Sequence, residues 1–165
     1  AHALSVIGNV RFNKNYNADR AAVLGLYHDA QEIITGDLPT PVKYHNKKIL
    51  DAYKEIEASA TERLVSMLPN DLKNEFMSAL TGDSDKDLLP LVKAADKLSA
   101  LIKCIEERKA GNMEFKEAER STRERIAELN LEEANVFLEE FIGAFELTLD
   151  QLEKTPPSVA FFYSY

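Results

Sequence analysis

Apolar residues recur at spacings of three and four along most of the chain, and the polar residues between them read as helix punctuation. No run of Val, Ile, Thr and Tyr alternates with polar residues between hairpin dipeptides, so strands are not expected. The opening run Ala1-His2-Ala3-Leu4-Ser5-Val6-Ile7 has no capping residue and no initiator Met. It reads as the middle of a helix that ends near Val10, and the pattern predicts a preceding segment. Asn17 is a natural N-cap, with Asp19 complementing the dipole in the first turn. The helix it opens is predicted to reach about Ile34, and from Ala21 to Tyr27 it is apolar on every side. That marks residues 17–34 as a buried central helix.

Gly36, Pro39 and Pro41 stop that helix. A third helix, from about Asn46 to Met67, carries Ile49, Tyr53, Ile56, Ala60 and Leu64 on one stripe. Pro69-Asn70-Asp71 restarts a short helix through Leu80. Pro90, tolerated in a first turn, leads another to about Lys109 with Leu91, Ala95, Leu98, Ile102 and Ile105 aligned. Eleven of the 28 acidic residues fall between Glu106 and Glu140, interleaved with Arg and Lys as on a solvated helical face. A last helix runs through Leu152. The tail 155–165 joins two prolines to four aromatics and is expected to dock on its own domain or on a second subunit.

The fold class that follows is all-α, one helical bundle over residues 1–154. At 165 residues a single core can bury roughly 70% of the surface of the unfolded chain, and the lone Cys104 makes no internal bridge. The net charge of −8 argues against a nucleic-acid polymer, which clustered cations would have to hold. A small phosphate ester remains open if a metal ion, a helix N-terminus or a few lysines overcome the field locally. No apolar run approaches a membrane span, and no basic-then-apolar leader is read, so a cytoplasmic protein is expected.

Chemistry concentrates at Tyr27-His28-Asp29-Ala30-Gln31-Glu32. At about 100° per residue, His28 and Glu32 lie one turn apart on one face of a helix that is otherwise apolar. Burying such groups without partners costs several kcal/mol. A histidine satisfied within the core is the plainer account of a His-Asp pair. The third carboxylate favours a divalent ion instead, with imidazole and carboxylate as ligands and a further acid to handle a proton. Asp37, Leu38, Pro39, Thr40 and Lys43 follow on a stiff loop, which is either a helix-stopping turn or part of the same site.

His28-Asp29, Glu32 and the run Thr35-Gly36-Asp37-Leu38-Pro39-Thr40-Pro41-Val42-Lys43 resemble the HD-domain metal-dependent phosphohydrolases, and more narrowly the bacterial 5′-deoxynucleotidases. The resemblance continues at Leu91-Val92-Lys93-Ala94-Ala95-Asp96-Lys97-Leu98 and from Lys103 to Asn112, and it leaves only the aromatic tail unmatched. It implies an HD-type bundle that removes phosphate from deoxyribonucleoside 5′-monophosphates, using one divalent ion such as Co or Mn, in a homodimer. The implied metal ligands are His28, Asp29 and Asp96, together with a first His. Upstream of His28 the sequence has only His2, so that ligand and an Arg-Trp pair are expected before Ala1. Asp96 enters by resemblance alone; its place beside Lys93, off the apolar stripe, reads as a surface charge. Glu32 is the implied general acid or base. Asp29, Asp37, Leu38, Pro39, Thr40 and Asp96 face the nucleotide, and Lys43 is a weaker candidate for screening phosphate. His45 fills no position of the family pattern. The rival readings are the same site acting on another phosphate ester, and a degenerate domain that binds nucleotide without turning it over.

Overall fold

A computed structural model describes residues 1–152, which are helical with no strand among them. The aromatic tail 155–165 falls outside the described residues. The order is α1 (His2–Phe12), α2 (Ala18–Tyr27), α3 (Glu32–Thr35), α4 (Thr40–Lys43), α5 (Lys47–Ser66), α6 (Lys73–Thr81), α7 (Leu89–Lys109), α8 (Phe115–Ala127) and α9 (Glu132–Glu140). A 3₁₀ turn, Ile142–Glu146, and α10 (Leu149–Leu152) follow.

The expected caps form. Asn17 accepts a hydrogen bond from the Arg20 amide at 3.0 Å, and Asn46 does the same for Ile49 at 2.9 Å. Pro90 sits in the first turn of α7. Gly82 ends α6 in the left-handed region at φ 61°, a conformation that costs glycine little.

The central helix is not the one expected. Residues 17–34 do not form a continuous buried helix: α2 ends at Tyr27, and only Ala21 and Leu24 of it are buried. Leu26 and Ile33 are each 81% exposed. The apolar run misleads because three of its seven residues are Ala or Gly, which need no core and tolerate any face. The middle of the fold is α7, which buries Leu91, Val92, Ala94, Leu98, Leu101, Cys104 and Ile105. It packs against α8, α2, α1 and α9. Leu4, Ile7, Leu24, Ile126, Ala134 and Phe137 close one core around it. Full burial of a Leu or Ile side chain contributes about 1.5–3 kcal/mol, so this helix anchors whatever it carries.

The remaining helices make a shelf beside that core. α5 packs on α6 and also on α3 and α4, the two short helices that follow α2. Its buried stripe is Tyr53, Ala60, Thr61 and Val65, turned from the expected one, with Ile56 53% exposed. Half-buried Arg20 ties α2 to the second layer, donating to Asp85 at 2.8 Å and to the Ser78 carbonyl at 2.8 Å.

Candidate metal centre

The His-Asp doublet sits in a tight turn, not in a regular helix. Past Tyr27 the backbone makes short-range bonds, Ala30 N to Tyr27 O at 3.0 Å and Glu32 N to Asp29 O at 2.9 Å. Such i to i−3 bonds tighten the chain and re-aim its side chains. His28 and Glu32 therefore do not share a regular α-helical face. The turn instead brings His28 Nδ1 to 2.8 Å from the Gly25 carbonyl. With a proton on Nδ1 directed there, loss of the Nε2 proton leaves Nε2 a lone pair for a ligand, the usual way a metal-binding imidazole is oriented.

Nε2 faces two carboxylates. Asp29 Oδ2 lies 2.8 Å away, and Asp96 Oδ1 arrives from α7 at 3.8 Å. One nitrogen and two oxygens thus lie within 4.8 Å of one another, the one such grouping of His, Cys, Asp and Glu among the described residues. The arrangement fits a divalent first-row ion: two hard carboxylate oxygens, a borderline imidazole and no thiolate. Asp96 is exposed, and the buried Ala94 and Leu98 of the same helix fix its position.

The charges of the cluster act on one another. Hydrogen bonding to Asp96 raises the His28 ring to about 9; burial opposes this, while Gly25 O and Asp29 add to it. By distance Asp29 is the nearer acid, so the two carboxylates act together on one ring nitrogen. Asp96 is lowered, first by His28, whereas Asp29 is raised because burial outweighs the help of His28. Burial also raises Glu32, and the neighbouring Asp29 and Asp37 carboxylates add to it. A carboxyl raised this way holds a proton more readily than a free one, which suits it to acid-base work.

A cleft of about 370 Å³ opens beside the cluster, lined by Asp29, Glu32, Asp37, Leu38, Lys43 and Asp96. Five of the expected site residues other than His28 therefore share one cavity with Lys43. Pro39 is exposed at the same loop, and Thr40 begins α4. The Lys43 Nζ is held 2.8 Å from Glu57 Oε1 and lies 4.6 Å over the Tyr53 ring. His2 and His45 are exposed and stand apart from the cluster.

Most of the remaining lining of the cleft was not legible. Tyr44, Lys97, Ala100, Thr122 and Arg125 complete it. Thr122 and Arg125 come from α8, whose sequence is a dense alternation of Glu and Arg with no feature to separate one arginine from its neighbours. Lys97 could have been suspected from its place next to Asp96.

The pattern that defines the family described as "5′-deoxynucleotidase YfbR-like" matches residues 1–145. The chain belongs to this family. Its relatives include a 5′-deoxynucleotidase of Vibrio atlanticus (strain LGP32), 44% identical over 153 residues that make up 92% of this chain and 79% of that protein. A 5′-deoxynucleotidase of Yersinia pestis (strain Pestoides F) is 46% identical over 92% of this chain and 78% of its own length. YfbR-like enzymes are metal-dependent phosphohydrolases, and the His28, Asp29 and Asp96 cluster is where this member can hold an ion.

Proposed function

We propose that the chain hydrolyses deoxyribonucleoside 5′-monophosphates to deoxyribonucleoside and phosphate. The carrying observation is the convergence of one imidazole nitrogen and two carboxylate oxygens, in a chain 44–46% identical to proteins named 5′-deoxynucleotidase. His28, Asp29 and Asp96 hold one divalent ion, with Co and Mn the first to try. When bound, the ion supplies positive charge for the phosphate oxygens and lowers the pKa of water.

The protein's own groups do the rest. Glu32, raised by burial and by Asp29, handles the proton: one leaves the attacking water and one ends on the 5′-oxygen as the bond from phosphorus to that oxygen breaks. Asp37, Leu38, Pro39 and Thr40 line the nucleotide, with Asp29 and Asp96 facing its phosphate. Lys43, engaged by Glu57, offsets the charge of Asp29 and Asp96 without reaching for the substrate. Lys97 and Arg125 give the opposite wall positive charge in a chain whose net charge is −8. Residues 1–154 act as a single HD-type domain, in a cytoplasmic homodimer. No helix among the described residues is long and apolar enough to cross a membrane.

Turnover of a panel of deoxyribo- and ribonucleoside 5′-monophosphates tests the reading, with each candidate ion added to chelator-stripped protein. Deoxyribonucleotides are expected to be preferred. Equal turnover of the two series would overturn the deoxy assignment, and phosphate release without any added ion would overturn the metal. Native mass spectrometry tests the dimer.

A further inference from the structure

The loop that carries Asp37, Leu38 and Pro39 has little core of its own. Gly36, Asp37 and Pro39 are exposed and Leu38 is only half-buried. Something outside the loop must hold it, and the contacts that do so come from one face of α5.

At the loop's start, Gly36 adopts φ 71° and ψ 164°, a region open in practice to glycine alone. This turns its carbonyl toward two hydroxyls, Thr35 Oγ1 donating at 2.9 Å and Tyr53 Oη at 3.0 Å. At the loop's end, Lys43 donates to Glu57 at 2.8 Å, with both side chains largely withdrawn from solvent. The same ammonium sits over the face of the Tyr53 ring at 4.6 Å. Tyr53 and Glu57 are four residues apart on α5, so they are stacked one turn above the other. One buried ring and one carboxylate therefore grip both ends of residues 36–43.

We infer that Tyr53 and Glu57 are positioning residues for the nucleotide loop: they fix Gly36 and Lys43, and through them the placement of Asp37 and Leu38 in the cleft. The inference rests on the proposed reading that this loop lines the nucleotide. It assigns neither residue contact with substrate or ion. A positioned wall of this kind acts on how the nucleotide is held, whereas the phosphate-binding charges lie on other elements.

Tyr53→Phe keeps the ring, its packing and its face toward Lys43, and deletes only the hydroxyl. Glu57→Gln keeps the shape and removes the charge. The expected result is a KM for the deoxynucleotide raised about threefold in Tyr53→Phe and about tenfold in Glu57→Gln, the scale of one neutral and one charge-assisted hydrogen bond. Inhibition by inorganic phosphate, which needs no nucleoside, is expected to stay within about twofold of wild type, as is the content of bound ion. Hydrogen exchange is expected to speed up in the peptide covering 36–43 and not in α7. An unchanged KM with unchanged exchange overturns the inference. So does a loss that falls equally on nucleotide and phosphate, which would mark a general loosening of the fold. Asp37→Ala separates this inference from the reading beneath it. If Asp37→Ala leaves the nucleotide KM untouched, the loop does not line the substrate, and exchange of 36–43 alone decides whether Tyr53 and Glu57 hold it.

Discussion

Along α7, the charges around Arg108 at the C-terminal end and those around Asp96 nearer the middle are arranged in opposite balance. Arg108 donates to Glu119 at 2.7 Å and to Glu146 at 2.6 Å, and Arg123 returns to Glu119 at 3.2 Å. Two cations meet two acids there, and despite its burial the Glu119 carboxyl is held low by Arg108 and Arg123. Around Asp96 the count is uneven. Asp29, Glu32, Asp37 and Asp96 share a cleft with Lys97, Arg125 and Lys43, the last of which Glu57 already occupies. Burial raises both Asp29 and Glu32; Asp96 and Asp37 add to it at Asp29, and Asp29 and Asp37 add to it at Glu32. A closed network of this first kind holds helices together. An acidic cluster that its own chain does not neutralise is relieved by a raised carboxyl pKa or by an added cation.

The sharpest way to break that contrast is to remove one acid from the uneven side. Asp96→Ala is expected to weaken divalent-ion binding by about 10²-fold or more, since even the outer partners of a metal ligand are worth about 10- to 100-fold. Elemental analysis after gel filtration measures it. Full ion content in this variant would return Asp96 to an ordinary surface charge and dissolve the comparison. Glu32→Ala comes next, with ion content near normal and turnover lower by about 10²-fold, the scale of lost acid-base catalysis. Unchanged turnover would take Glu32 out of the mechanism.

The two ends of α7 also differed in how far the sequence disclosed them. Helix boundaries were readable because Asn17, Asn46 and Pro90 are local signals that act on their own backbone. The pairs along α8 were readable as i,i+4 spacings, and Arg120 with Glu124 at 2.8 Å is one of them. Asp96 was different: its periodicity pointed to solvent, and only the family pattern connected it with His28. The geometry that joins them depends on where α2 stops, and that stop depends on the turn at 28–31, which no proline or glycine announces. The same turn is why 17–34 was misread as one buried helix. Tyr53 was visible as an apolar position of α5, but its hydroxyl's use at Gly36 is a tertiary contact that no spacing encodes.

On the proposed reading protons and metal compete for His28, and this gives the comparison a pH axis. In ion-free protein the ring is held at about 9, above its ordinary 6.5. The stabilisation it contributes is therefore fully present below about pH 6.5 and is lost as pH rises through 9. Ion binding needs the neutral ring, so it must expel that proton. The expected outcome is release of close to one proton per ion at pH 7, and affinity that rises about tenfold per pH unit until it levels near pH 9. An indicator-dye titration of chelator-stripped protein reads both. Affinity independent of pH would mean that His28 is no ligand.

The smallest expected effect lies at the balanced end and closes the contrast from the other side. Arg108→Ala leaves Glu119 and Glu146 facing each other without their shared guanidinium, so the contact of α7 with α8 and with the 3₁₀ turn should loosen. Because Arg108 lies at the surface, solvent screens much of the interaction, and the thermal midpoint is expected to fall only modestly, by less as salt is added. Ion affinity is expected to stay within about twofold of wild type, since well-separated sites on one helix act nearly independently. A calorimetric scan beside an ion titration checks both halves. A large loss of ion affinity in Arg108→Ala would show that α7 transmits strain from its end to its middle, and the two clusters would then be one device.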